Sequence, residues 1–304
     1  MNLLQFGLKP LKISDKPTID TILSSRNTML SAYAFVSHYI WRDIFHFYWG
    51  VIDGCLCLFA RYDNYIYMPV PPVLAENPPH IFSTVFAIMD TINKNKSVSR
   101  IENIDEQEVD CLTSLGYEIM PGESEYVYLR EDLANLKGNP YKPKRAMCNY
   151  FVKHYRYSYE PFGVHHSARC ISLYNEWKNK KEKKSNTLFY QALLEDALSA
   201  HKQAINHYKS LQLTGRVVRI NGQVEGYIFG FTRGKDIFYI LMEVTNTDIK
   251  GLSQFIFREF CREMDGHIYI NTLGDSGLEN LRHVKLSYRP FRVVPTYIAC
   301  RAKS

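Results

Sequence analysis

No stretch of the 304-residue sequence approaches the ~18 uninterrupted apolar residues of a membrane-spanning helix, and Met1 to Lys12 hold no run suited to a signal-peptide core. Paired CxxC spacings are absent too. The seven cysteines are odd in number and scattered, which argues against a disulfide framework and a structural zinc site and fits reduced thiols in a cytoplasm. Among ten histidines none forms HExxH, and no Ser/His/Asp or Cys/His constellation stands out. No metal and no covalent enzyme nucleophile are expected. A formal net charge of +6 is modest for this length, so charge alone demands neither a nucleic-acid nor a membrane partner. It leaves peripheral membrane contact and the oligomeric state open.

What is present is an ordinary globular composition, 46% hydrophobic and 22% charged, with 22 Tyr and 17 Phe that suit aromatic-faced sheets. The length favours two cores over one. From Phe45 to Val70 the chain reads as a three-stranded meander with turns at Asp53-Gly54 and Asp63-Asn64, the first favoured in hairpins because both residues accept positive φ. A proline-rich break, 69–79, precedes a helix with Ile81, Val85, Ile88 and Met89 on one face. A strand to Ile104, a helix from Glu106 to Leu115 and a strand from Glu125 to Leu129 follow. The same order returns as Arg216 to Ile220, the turn Asn221-Gly222, Val224 to Phe231 and Ile237 to Val244. A helix with Leu252, Phe255, Ile256 and Phe260 on one face, the strand His267 to Asn271, a short helix and a last strand complete it. Asp53 and Ile101 are as far apart as Asn221 and Tyr269, so order and spacing together indicate a repeat of topology.

Between the copies, helices are predicted over Lys144 to Tyr155, His165 to Lys184 and Asn186 to Ser210. The last carries a stripe of Phe189, Leu193, Ala197, Ala200, Ala204 and Tyr208. Strand, two helices, meander, helix, strand, helix and strand is the element order of the GNAT acyltransferase fold. The expected fold class is therefore α/β with mixed sheets, built as two tandem GNAT-like domains, 1–152 and 153–304, the first serving as scaffold.

Two stretches carry a family likeness. One runs through Tyr126, Tyr128, Leu133, Leu136, Lys137-Gly138-Asn139, Tyr141, Lys144-Arg145, Asn149 and Phe151. The other comprises Asn271, Asp275, Gly277, Leu278, Leu281-Arg282, Lys285, Ser287-Tyr288, Pro290 and Tyr297. Together they resemble the signatures of the phosphatidylglycerol lysyltransferase C-terminal domain family. That resemblance implies tandem GNAT domains and transfer of an aminoacyl group from a charged tRNA.

An aminoacyl ester is already activated, so transfer needs a positioned amine or hydroxyl, a proton acceptor and a stabilised oxyanion. Glu243, at the end of the predicted fourth strand of the second copy, is the first candidate base or amine-binding carboxylate; Asp275 is the second catalytic candidate. Asn271, Gly277, Arg282, Lys285 and Tyr288 are candidates for substrate binding, with Arg282 and Lys285 offering cations to a phosphate or carboxylate. Lys142, Lys144 and Arg145, interleaved with tyrosines, suit a tRNA acceptor end or equally a solvated helix face. Ser276 and Glu279 have capping-box spacing, and the lysine run Lys178 to Lys184 reads as an exposed helix end. CoA-dependent GNAT enzymes cradle pyrophosphate in a Gly-rich loop. Here Thr245 to Gly251 holds one glycine and Asp248, which weighs against acetyl-CoA. The rival readings are an acyl-CoA-dependent N-acyltransferase and a non-catalytic ligand-binding module.

Overall fold

The computed structural model describes residues 3–74, 80–183 and 187–302. In chain order the first elements are β1 (Lys9–Pro10), α1 (Lys16–Leu23), α2 (Phe35–Tyr39), β2 (His46–Ile52), β3 (Cys55–Tyr62), β4 (Tyr65–Tyr67), α3 (His80–Ile92), β5 (Arg100–Ile104), α4 (Val109–Ser114) and β6 (Tyr117–Pro121). After β7 (Glu125–Leu129) come α5 (Arg130–Asn135), α6 (Lys142–His154), β8 (Tyr157–Pro161), α7 (Ser167–Glu182) and α8 (Leu188–Asn206). The chain closes with β9 (Thr214–Ile220), β10 (Gln223–Arg233), β11 (Ile237–Thr245), α9 (Leu252–Glu263), β12 (Tyr269–Asn271), α10 (Glu279–Leu286), β13 (Arg292–Val294) and β14 (Tyr297–Arg301). Residues 75–79 of the proline-rich break, Lys184 and Asn186 lie outside the described residues.

The chain forms two compact units. One comprises 1–125, 274–279 and 293–304; the other comprises 126–273 and 280–292. A division at 152/153 follows the order of elements, whereas these units follow strand pairing. In the first unit β1-β2-β3-β4 form an antiparallel sheet, and a parallel bridge from Met68 to Ile101 leads to a second group ordered β5-β14-β6. Its central strand, β14, comes from the C-terminus and pairs antiparallel on both sides, with Ala299 opposite Ile101 and Ile119. In the second unit the sheet runs β13-β7-β12-β11-β10-β9-β8. There β7 comes from the first half of the sequence and pairs antiparallel with β12. Each unit thus completes its sheet with a strand from the other half of the chain.

Local chemistry explains the hairpins. Asp53-Gly54 (φ 49° and 81°) and Asn221-Gly222 (φ 50° and 82°) both adopt the double left-handed geometry that matches strand twist. The first unit's core is aliphatic and aromatic, with Phe59, Ile66, Val85, Phe86, Ile101 and Ala299 fully buried. The second is dominated by rings and long apolar chains, among them Phe151, Phe238, Ile256, Phe260 and Ile270.

On α8 the buried residues are Leu194, Leu198, Ala200, His201, Ala204 and Ile205, while Phe189 is 70% exposed. The predicted stripe is therefore rotated by about one residue. Two polar contacts fix the true face: the Tyr174 hydroxyl donates to the Leu194 carbonyl at 2.9 Å, and Tyr227 Oη and His201 Nδ1 share a hydrogen bond of 2.8 Å. Burial lowers the His201 pKa to about 3, keeping the ring neutral.

Candidate functional site

In the second unit two neighbouring strands part. Strands β11 and β12 run parallel through only three pairs, ending at Tyr239 opposite Asn271. Beyond Tyr239, β11 continues to Thr245 paired on one side only, with β10. Glu243 lies in this splayed stretch, opposite Ile228.

Glu243 is part-buried, and its Oε1 accepts a 2.7 Å hydrogen bond from Ser253 Oγ, in the first turn of α9. Among the described residues no cation pairs with it. Burial raises its pKa to about 7, opposed only by the serine hydroxyl. A carboxylate so poised near neutrality suits the exchange of a proton with an amine or alcohol.

Tyr288 is buried nearby, and its pKa is pushed well above the ordinary phenol value by burial first and the Glu243 charge second. Lys144 Nζ sits 4.2 Å from the Tyr288 ring centroid, and the Phe257 ring packs against Tyr288 at 4.9 Å. Burial lowers the Lys144 pKa. The backbone of this segment is pinned too. The Tyr141 hydroxyl donates to the Tyr288 carbonyl at 3.1 Å and the Tyr128 hydroxyl to the Lys285 carbonyl at 2.9 Å.

The other expected residues divide by what they touch. Asn271 is fully buried at the end of β12, its Oδ1 accepting from Leu273 N at 2.7 Å. Lys285 Nζ donates to the carbonyls of Thr272 and of Leu273, the latter at 3.0 Å, and lies 5.6 Å from the Tyr126 ring centroid. Its charge closes the turn after β12. Arg145 likewise spends its guanidinium on the carbonyls of Leu136 and Gly138, the second at 2.7 Å, where α5 ends in a left-handed residue. Arg282 and Lys142 are exposed, with no side-chain partner among the described residues.

Asp275 and Gly277 belong to the other compact unit. There Asp275 Oδ1 accepts from Gly277 N at 3.0 Å, and the Asp275 carbonyl accepts from Leu278 N. The capping box at Ser276 does not form: Ser276 has φ 53°, and its N–H goes to Glu123. Within the lysine run Lys178 is bonded to Glu195 and Lys180 to Asp248, while Lys183 is exposed.

The head of α9, where a CoA pyrophosphate would sit in a CoA-dependent GNAT enzyme, is closely packed. Gly251 has φ +84°, and a Cβ there would stand 2.2 Å from the Met147 carbonyl oxygen of α6. The sequence revealed the single glycine but not the helix against it. Nor did it reveal Ser253 beside Glu243, since only the fold brings them together. Among the described residues no group of three or more His, Cys, Asp or Glu could hold a metal ion, and no helix is long and apolar enough to cross a membrane.

Comparison with solved structures places this geometry in context. A conserved protein of unknown function from Bacteroides thetaiotaomicron superposes with a TM-score of 0.88 at 24% identity, over 97% of this chain and 99% of that one. L-PGS from Bacillus licheniformis matches with a TM-score of 0.65 at 16% identity, over 95% and 93% of the two chains. A tandem GNAT protein from the clavulanic acid biosynthesis pathway matches with a TM-score of 0.52 at 11% identity, over 98% and 99%. The fold is a mixed α/β tandem GNAT fold. No curated protein matches the sequence. The family model for phosphatidylglycerol lysyltransferase, C-terminal, matches residues 27–300, and the chain belongs to that family.

Proposed function

We propose that this chain is an aminoacyl or acyl transferase that moves an activated acyl group, carried by an aminoacyl-tRNA, to an amine or hydroxyl acceptor in a cytoplasmic setting. The observation that carries the proposal is Glu243: a part-buried carboxylate with no cation paired to it among the described residues, in the splay between β11 and β12, with its pKa raised to about 7 by burial. Glu243 takes the proton of the acceptor as it attacks the ester carbonyl and returns it to the leaving ribose oxygen. A general base of this kind contributes roughly 10²–10⁴-fold. The ester supplies its own activation, so orientation and charge stabilisation complete the requirement.

The other roles follow from what each residue has free. Arg282 and Lys142, exposed and unpaired among the described residues, are available to phosphates of the donor. Asn271 and Lys285 hold the turn after β12, and Asp275 holds the turn before α10. An acyl-CoA donor is disfavoured by the loop ahead of α9, which holds a single glycine and Asp248, and by the Met147 carbonyl of α6 lying against that glycine, Gly251.

A thermal-shift comparison tests the donor. Stabilisation by a charged tRNA or a non-hydrolysable 3′-aminoacyl-adenosine, with none from CoA thioesters, supports the proposal. Stabilisation by CoA thioesters alone overturns it in favour of ordinary N-acyltransfer, and no response with any donor favours a non-catalytic module.

A further inference from the structure

Tyr288 is 7% exposed, yet its phenolic oxygen makes no hydrogen bond with any described residue. It is not among the side-chain atoms sealed from solvent without a partner. A largely buried hydroxyl is costly to leave unmatched. One that remains open to solvent is placed to exchange water for a ligand. Its ring is held firmly, with Lys144 over the face, Phe257 alongside and the backbone pinned by two tyrosine hydroxyls.

Three neighbouring donors are already committed, and the Lys144 ammonium lies against the ring face. The Ser253 hydroxyl serves Glu243, the Tyr128 hydroxyl serves the Lys285 carbonyl, and the Lys285 ammonium serves the carbonyls of Thr272 and Leu273. Glu243 itself has one carboxylate oxygen engaged by Ser253 and the other without a hydrogen bond among the described residues. An acceptor and a donor, Glu243 and Tyr288, thus have unfilled capacity, and Phe257, which packs on the Tyr288 ring, stands one turn of α9 beyond Ser253, the partner of Glu243.

We propose that the Tyr288 hydroxyl is the hydrogen-bond donor to the oxyanion formed when the acyl carbonyl is attacked, acting opposite Glu243. The assignment rests on the aminoacyl-transfer reading. The nucleophile's lone pair forms the new bond to the carbonyl carbon, the C=O π pair moves to oxygen, and Glu243 takes the nucleophile's proton. When the tetrahedral species collapses, the bond to the ribose oxygen breaks and that oxygen receives the proton from Glu243. Tyr288 keeps its own proton throughout, consistent with a phenol whose ionisation is suppressed by burial and by the Glu243 charge.

Two probes separate ground state from transition state: a 3′-linked aminoacyl-adenosine amide, with a planar carbonyl, and its tetrahedral phosphonamidate counterpart. By calorimetry Tyr288→Phe is expected to weaken the phosphonamidate by roughly 10²-fold. The planar amide should change by no more than about threefold, because the donor acts only on developed charge. Incorporation of 3,5-difluorotyrosine at 288 keeps the ring and strengthens the donor, and should shift the ratio the opposite way. If the wild type binds both probes and neither substitution changes their ratio, the Tyr288 assignment falls while the transfer reading stands. If the wild type binds neither probe, the transfer reading fails and takes this assignment with it.

Discussion

Replacing Gly251 with alanine tests whether α6 is seated on the head of α9 as described. The residue has φ +84°, and a Cβ would stand 2.2 Å from the Met147 oxygen, 3.0 Å from the Met147 carbonyl carbon and 3.2 Å from Phe151 Cβ. The left-handed backbone costs an alanine about 1 kcal/mol. Forcing a methyl into packed backbone adds about 1–3 kcal/mol, because the carbonyl can yield only if α6 moves. The reduced entropy of the unfolded chain offsets about 0.4–1 kcal/mol of this. A net loss of about 1–3.5 kcal/mol lowers Tm by roughly 3–12 °C for a unit of this size. Gly234→Ala is the internal control, since its φ is +68° and no described residue lies within 4 Å of where its methyl would stand. It should lose only the backbone part. Differential scanning calorimetry of both variants decides the matter: if Gly251→Ala melts no lower than Gly234→Ala, α6 does not close the head of α9.

Other consequences follow from contacts already described. The Glu243 pKa, raised from 4.5 to about 7, means the native state holds a proton that the unfolded chain releases. Its stabilising contribution is complete below pH 4.5 and lost as pH rises through 7, at most about 3 kcal/mol. Urea unfolding across that window should show this slope in the wild type and a flatter one in Glu243→Gln; equal slopes contradict the assignment. Truncation after Val294 removes β14, the central strand between β5 and β6, and should expose the first unit to limited proteolysis while the second stays resistant. Retained resistance of both units would show that β14 is dispensable. Lys285→Met withdraws an ammonium from two carbonyls and should cost about 1.5–3 kcal/mol in urea unfolding. A loss under about 0.5 kcal/mol would mark the lysine as a solvated surface charge.

The hairpins were legible because Asp53-Gly54 and Asn221-Gly222 are residue pairs that accept positive φ, a local property. Strand exchange was not. Residues 125–129 and a last strand of unspecified bounds read as strands from their apolar pattern, but pattern encodes burial and says nothing of which sheet will accept the strand. Strand β6, with no fully buried residue and a terminal proline, gave too weak an alternation to be read. On α8, Leu193-Leu194 and Ala197-Leu198 offer two adjacent apolar faces, and only the contacts from Tyr174 and Tyr227 choose between them. Glu243 was found from its place at the end of a predicted strand, since position along a repeated topology is visible in one sequence. Its partners were not visible: Ser253 lies across the turn into α9, and Tyr288 joins Lys144 only through folding. The commitments of Lys285 and Arg145 to carbonyls were hidden for the same reason, because backbone acceptors leave no trace in residue identity.

The central claim is that Glu243 accepts the proton of the attacking group. Single-turnover transfer of a labelled amino acid from charged tRNA to an amine acceptor, compared between wild type and Glu243→Gln, tests it most directly. The expected result is a loss of roughly 10²–10⁴-fold in rate, with unchanged donor affinity and no fall in Tm. Transfer by Glu243→Gln within about threefold of wild type, on a scale where a tenfold change is about 1.4 kcal/mol of barrier, would contradict the account.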